Sequence, residues 1–538
     1  MKNNLISSTF FIMPEIDIAQ SNTLGFARNK INTSRKAKKE ILFVSSFPPR
    51  ECGIATYSQD LINAINNKFE NSFTCRICAL ESDAEQHSYN STVKYILNTD
   101  NRKSFVNVAF ALNRDPLIQA VVVQHEFGFF NKNDSDFMFF CHSINKPIIF
   151  VFHTVLPSPD QEIKSKVQDM SAIATLIIVM TNNALKILTE EYDVPLFKIA
   201  VIAHGTHLIS PLIKEELKSK YNFSGRNILS TFGLLSSGKG IEVTLDAMPS
   251  ILVSHPNTLF IIIGKTHPTV VKKDGEIYRN LLEKKVTAMH LENHVLFVNE
   301  YLPLHTILEY LQLTDIYLFT SKDPNQAVSG TLAYAVSCGC PIVSTPIPHA
   351  CEILVNSGSS FIDFDDSNQL AKAVISLLAD EHLRHNLSLN GLHQMAPTAW
   401  ENAAIAHAKL FENIQPNVIR LKYNIPAIKL NHIHRMTTEI GIIQFSKIAF
   451  PDIDSGYTLD DNARALIAMC QHFENHVNIE ELTYISRYLD FIRRCLQPNG
   501  KFLNYVNNKQ EFTNQNYSEN LEDSNGRAIW ALGLVISL

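Results

Sequence analysis

The chain has 538 residues, with 45% hydrophobic residues, 19% charged residues and a formal net charge of −6. That makeup fits a soluble globular protein of about three domains, and an acidic balance with no basic tract argues against a nucleic-acid partner. No apolar run reaches the ~18 residues of a membrane span, which leaves peripheral contact as the form of membrane association still open.

Residues 1–40 are polar and rich in Asn and Lys, and they read as a flexible extension. Phe10-Phe11-Ile12-Met13 is too short and wrongly flanked for a signal peptide, so a cytosolic setting is expected. Nine cysteines, an odd number, should then be reduced thiols. Cys75-Arg-Ile-Cys78 falls in a predicted strand, where alternation puts the two sulfurs on opposite faces and argues against zinc or redox work. His432-Ile-His434 has no third ligand near it in sequence, and no metal site is expected.

From 41 to 210, predicted strands at 41–45, 72–79, 119–124, 147–152, 175–180 and 199–203 alternate with helical stretches. Alternation of this kind implies right-handed βαβ units and a parallel sheet. The first strand runs through Pro48-Pro49 and Arg50 into Gly53, where a helix opens. A strand feeding a glycine at a helix start is a ready anion site, because free N–H groups and the helix dipole meet there.

The pattern restarts over 211–415, with strands expected near 227–234, 258–264, 294–298, 315–319 and 341–344. Here the first strand leads into Ser236-Ser237-Gly238-Lys239-Gly240, again at a helix start. A lysine between glycines can meet a diphosphate as a point charge, although the spacing is not that of a Walker A loop. Two consecutive doubly wound sheets suggest two facing Rossmann-like domains with the ligand site in the cleft beyond the strands' carboxyl ends.

Residues 396–414 read as a helix, and past 415 the strands are expected to stop. Helical patterns near 433–447, 459–473, 480–496 and 524–538 make 416–538 an all-α region. Leu459-Asp460-Asp461-Asn462-Ala463-Arg464 is echoed by Leu521-Glu522-Asp523-Ser524-Asn525-Gly526-Arg527. Repeated helical hairpins suggest an (α/α) toroid, which reads as cut short at residue 538. Asp460, Asp461, Glu522 and Asp523 are candidates for a paired-acid site for glycoside hydrolysis, and equally for helix-start carboxylates.

The segments FPPRECGIATY, VFHTVLP (151–157), VIAHGTH (201–207), TFGLLSSGKGIE (231–242), HVLFVNEYLP (294–303) and SGTLAYAVSCGCPIVSTPIPHACEIL (329–354) resemble, in order, the retaining GT-B glycosyltransferases of glycosyltransferase family 4. The resemblance covers 41–415. It implies an acceptor-holding first domain, a second domain that holds a nucleotide-diphosphate sugar as substrate, and metal-independent transfer with retention onto a glycan or lipid-linked acceptor. It sets Gly53 against the donor phosphate and transferred sugar, His153 beside that sugar, and Lys239, flanked by Gly238 and Gly240, on the leaving diphosphate. Glu352 matches an acid after the last strand. The helical region is similar to toroid domains fused to some GT-B proteins.

The chain also departs from the family. The arginine usually found before the lysine is absent, with Leu234-Leu235 there instead. The family's two glutamates fall on Gln326 and Tyr334. An amide can still bond sugar hydroxyls, but a phenol cannot accept from both ribose hydroxyls as a carboxylate would. Ser329-Gly330-Thr331 at a helix start can still offer N–H groups to a phosphate. Two other readings stay open: a phosphorylase-type enzyme on the same fold, and a non-catalytic carbohydrate-binding protein.

Overall fold

The computed structural model describes residues 38–130, 133–354 and 360–538. The extension read over 1–40 lies, up to residue 37, outside the described residues. The first sheet has seven parallel strands: β1 (Glu40–Ser45), β2 (Thr74–Glu81), β3 (Val93–Asn98), β4 (Ile118–His125), β5 (Ile148–Phe152), β6 (Leu176–Val179) and β7 (Ile199–Val201), in the order β3-β2-β1-β4-β5-β6-β7. All of β1 is buried, as a strand covered on both faces must be. Leu42 and Val44 enter one core layer and Ile41 and Phe43 the other. Cys75 and Cys78 likewise sit in opposite layers, both buried.

β3 had no counterpart among the predicted strands. It is an edge strand, and Lys94 and Tyr95 within it bond to Asp115 at the sheet rim. A half-exposed edge carries polar residues that blur the apolar run on which the prediction rests.

The second sheet is also parallel: β8 (Asn227–Phe232), β9 (Thr258–Ile263), β10 (Val295–Val298), β11 (Ile316–Phe319), β12 (Ile342–Ser344) and β13 (Ser360–Phe361), in the order β10-β9-β8-β11-β12-β13. β8 stops two residues before the predicted 234. At Gly233 and Gly264 the backbone takes φ of +134° and +127°, and a Cβ on Gly264 would lie 2.2 Å from the Gly233 carbonyl oxygen. Only glycine fits both chain ends this closely.

The helix Trp400–Ile414 returns to the first domain. Trp400, Ala404, Ala408 and Phe411 join Tyr57, Leu61 and Ile65 of the helix Gly53–Phe69 in one core layer. Thr206 N–H donates to the Thr398 carbonyl and Trp400 N–H to the Thr206 carbonyl, each at 2.9 Å. The chain after the helix continues as a strap: Ile419 is buried, Tyr423 packs on Phe69, and Asn424 bonds to Asn71 and the Asn67 carbonyl. A chain ending at Asn417 loses these contacts. It should be less stable than one ending at Asn424 by about 2–5 kcal/mol, the cost of emptying a buried Ile site; coincident thermal melts of the two would refute the strap's contribution.

The region beyond the strap corrects two expectations. Strands do not stop at 415, since Ser446–Lys447 pairs with Phe450–Pro451 and Tyr457–Thr458 with Tyr505–Val506, both antiparallel. The helix expected over 433–447 is only Asn431–Met436. It ends because Thr437 bonds back to the Ile433 carbonyl and to Tyr488, while Gly441 lies so close to Asn462 that a Cβ would meet its Oδ1 at 2.3 Å. Three longer helices, Leu459–Asn475, Glu481–Cys495 and Glu522–Ser537, enclose a core cluster of their own.

Three of the four acids of the echoed segments are held in ion pairs or caps. Asp460 pairs with Arg464 at 2.9 Å and with Arg527, so the second segment's arginine closes on the first segment's acid. Asp461 and Thr458 cap the helix reciprocally. Asp523 is solvent-exposed and paired to Arg527. These three carboxylates do the work of helix-start charges.

Candidate functional site in the interdomain cleft

The cleft is built where both sheets end. On the second domain, the Ser236–Gly240 loop turns back so that Lys239 reaches inward. Gly240, with φ +60°, opens the following helix, and a Cβ there would lie 2.3 Å from the Thr320 carbonyl. A Cβ on Gly233 would lie 3.3 Å from Lys239 Nζ and 3.2 Å from Thr331 Cγ2. Lys239 and the start of the helix Gly330–Ser337 therefore converge on one point at the end of β8. Gly238 flanks the lysine on the outside of the loop, exposed.

Lys239 is a poised cation. Its ammonium lies 5.9 Å from the Phe319 ring, and among the described residues no carboxylate pairs with it. Desolvation lowers its pKa to about 8. At the neighbouring helix start Ser329 Oγ caps Leu332 N–H at 3.3 Å and His349 Nδ1 takes the Ser329 N–H at 3.0 Å, so the N–H groups left for a ligand are those of Gly330 and Thr331.

On the first domain, Gly53 starts its helix behind Cys52, whose Sγ accepts from Ala55 N–H at 3.3 Å. A Cβ on Gly53 would meet nothing within 4 Å, so the loop faces open space. His153, at the end of β5, donates from Nε2 to Gln124 Oε1 at 2.7 Å and packs edge-on against Tyr57. Burial lowers its pKa to about 3, so the ring is neutral and its Nδ1 is an acceptor. His204 bridges the domains. Its Nδ1 donates to the Gly205 carbonyl, its ring lies 5.2 Å from Tyr57, and its Nε2 would be 2.9 Å from a Cβ on Gly330. Burial holds it near 4 and His349 near 3.

Three of the expected site residues hold protein partners. Gln326 accepts from Ser321 Oγ at 2.8 Å and donates to the Val328 carbonyl at 3.2 Å, which folds its amide into its own loop. Tyr334 is 6% exposed and donates to Asp60 Oδ2 of the first domain at 2.8 Å. The Glu352 carboxylate receives Asn182 N–H at 3.0 Å and Asn182 Nδ2 at 2.8 Å, capping the helix Asn182–Glu190 from across the cleft. Thus Gly53, His153, Lys239, Ser329, Gly330 and Thr331 lie at the facing ends of the sheets, His153 and Ser329 with protein partners of their own, and Gln326, Tyr334 and Glu352 also bond to the protein.

Sequence alone assigns no role to His204 and His207 of the VIAHGTH segment, nor to Gln124 and Asp60. A Gln-His pair closing a predicted strand was the available signal for Gln124. Asp60 had none, since a carboxylate inside an amphipathic helix looks like solvated surface. Among the described residues no group of three or more His, Cys, Asp or Glu is placed to hold a metal, and no helix is long and apolar enough to cross a membrane.

Comparison with known proteins places this geometry. Residues 213–394 match the family model described as Glycosyl transferases group 1, so this stretch, which holds Lys239 and the Ser329–Thr331 helix start, is a glycosyltransferase group 1 domain. The two-domain arrangement is the GT-B fold. Sucrose-phosphate synthase from Thermosynechococcus elongatus aligns over 70% of this chain and all of its own with a TM-score of 0.58 at 16% identity. Anabaena Alr3699/HepE in complex with UDP aligns over 70% of this chain and all of its own, with a TM-score of 0.55 at 14% identity. Among curated sequences, Spore coat protein SA of Bacillus subtilis is 23% identical over 176 residues, 32% of this chain and 45% of that protein. The lipopolysaccharide core biosynthesis mannosyltransferase LpcC of Rhizobium leguminosarum is 23% identical over 219 residues, 40% of this chain and 59% of that protein. The chain spans about half the length of the curated relatives it matches.

Proposed function

We propose that the chain is a glycosyltransferase that moves a hexosyl group from a nucleotide-diphosphate sugar to a glycan or lipid-linked acceptor, with retention and without a metal. The observation that carries this reading is the convergence of Lys239 and the Gly330–Ser337 helix start at Gly233, inside the matched domain. An unpaired ammonium beside a helix N-terminus suits the charge that grows on a departing diphosphate as the sugar becomes oxocarbenium-like. The transferred sugar would lie toward Gly53, where the backbone leaves room, and one of its hydroxyls would donate to the neutral His153 Nδ1. The acceptor would approach from the first domain. That the solved neighbours include a protein crystallised with UDP and glucose supports a nucleotide-sugar donor.

The test is incubation with a panel of uridine, guanosine and adenosine diphosphate sugars, scored for release of the nucleoside diphosphate. Release from one of them, absent from a Lys239→Met control, is expected. The engagement of Gln326 and Tyr334 by protein groups favours one second reading, a carbohydrate-binding protein without transfer. Nucleotide-sugar binding by calorimetry with no diphosphate release from any donor would replace the first reading with that one.

A further inference from the structure

Asp60, His207 and Tyr334 come from three separate parts of the chain. Asp60 lies two turns into the helix that starts at Gly53, His207 on the segment leading from the first domain to the second, and Tyr334 one turn into the helix that starts at Gly330. Their polar atoms meet at one point. The Tyr334 hydroxyl donates to Asp60 Oδ2 at 2.8 Å, and His207 Nε2 lies 3.2 Å from both that oxygen and the Tyr334 hydroxyl oxygen. The His207 and Asp60 side chains are 20% and 13% exposed, and Tyr334 is 6% exposed.

Asp60 Oδ2, His207 Nε2 and the Tyr334 hydroxyl satisfy one another. The phenolic proton goes to Asp60, and the imidazole N–H lies between the carboxylate and the phenolic oxygen. None of these contacts calls for a ligand. Other bonds cross the cleft, but they lie in more solvated places: Lys272 to Glu85 at 2.6 Å, Lys265 to Glu51, Tyr301 to Thr56 at 3.0 Å, and Asn182 to Glu352 at 2.8 Å. Exposed ion pairs are weak and screened by salt, whereas a buried charge-assisted hydrogen bond is stronger.

We propose that Asp60, His207 and Tyr334 form a clamp, bonded through protein atoms, that fixes the angle between the two domains. The clamp joins the two helices whose N-termini face the cleft. It therefore sets the separation of the Gly53 and Gly330 helix starts, with the His204 ring lodged beside them. Tyr334 is a positioning residue that orients these helix ends and makes no contact with the nucleotide. The clamp does not depend on the transfer reading, since it concerns domain geometry.

Small-angle X-ray scattering and amide hydrogen exchange on the full chain test it. Tyr334→Phe keeps the ring and removes the bond, and Asp60→Ala removes the acceptor. Each should raise the radius of gyration and speed exchange at 53–60 and 330–337, while the double variant goes no further than the larger single change. Asp60→Asn, which keeps an acceptor oxygen for the phenol, should hold the parent's radius and exchange. Scattering and exchange of Tyr334→Phe that match the parent would overturn the clamp. So would an equal opening in Asp60→Asn and Asp60→Ala. Failure of the transfer reading shows separately, as no diphosphate release from a chain whose scattering still responds to Tyr334→Phe.

Discussion

Replacing Lys239 with Met should lower transfer at least tenfold, about 1.4 kcal/mol in the barrier, with the fold retained. The lysine packs against Gly233 and Phe319 and holds no carboxylate among the described residues, so its loss breaks no ion pair. A methionine keeps most of its volume and removes its charge. What goes is the cation opposite the departing diphosphate, where charge matters most in a desolvated site. The titration of the lysine gives the same test a second axis. Its pKa is lowered to about 8, so the ammonium is present below that pH and lost as pH rises through it. Affinity for a nucleoside diphosphate should therefore fall above about pH 8. A bound diphosphate favours the ammonium and raises its pKa, so the break in kcat should lie at higher pH than the break in kcat/KM. Turnover unchanged in Lys239→Met, or a flat profile through pH 8 to 9, would remove the lysine from the site.

Tyr334→Glu should be the most damaging single change at the cleft, although it installs the acid that the motif resemblance sets at that position. The new carboxylate would sit beside Asp60, whose Oδ2 now receives the phenolic proton. Two carboxylates in contact in a buried place cannot both ionise cheaply, and leaving a buried charge without a partner costs about 3–5 kcal/mol. Melting temperature should drop sharply, and Asp60→Asn in the same chain should recover much of it, because an asparagine amide can donate to the new acid. This pair also separates two histories of the site. If Gln326 and Tyr334 are decayed glutamates, restoring both acids should raise nucleotide-sugar affinity. If the site was rebuilt around an amide and a phenol, the double change should lose it. The geometry favours rebuilding, since the Gln326 amide already bonds Ser321 and the Val328 carbonyl, and a glutamate would set an oxygen against that carbonyl. A melt of Tyr334→Glu equal to the parent's would sink the argument.

The two parallel sheets were legible because buried strands write continuous apolar runs, as in Ile41–Val44 and Leu259–Ile263. The edges were not. β3 mixes Lys94 and Tyr95 into its run, and β13 is two residues long. The helical region misled because helical periodicity survives in 433–447, while the chain there is turned by Thr437 and Gly441 through contacts with residues far away in sequence. Of the site, the motif glycines and Lys239 could be read from local spacing, since a glycine-flanked cation at a helix start has one plain use. Glu352 and Tyr334 could not, because their partners, Asn182 and Asp60, lie 170 and 274 residues away. Nothing short of the folded chain shows that these groups meet.

The return of the helix Trp400–Ile414 has a consequence for how the molecule comes off the ribosome. The first sheet is synthesised early, yet one layer of its core is closed by Trp400, Phe411 and Ile419, made after the whole second domain. Until then the Gly53–Phe69 helix lacks the cover that Trp400, Ala404, Ala408 and Phe411 give it, and the ring of Tyr57 has no Trp400 against it. The usual order, in which the earlier domain folds first and the later one docks on it, is reversed for the last step here. The second sheet can finish its own core from contiguous chain, and the first waits for the late segment to thread back. Late closure by distant residues also slows folding, so this face of the first domain is where a nascent chain is most open to aggregation.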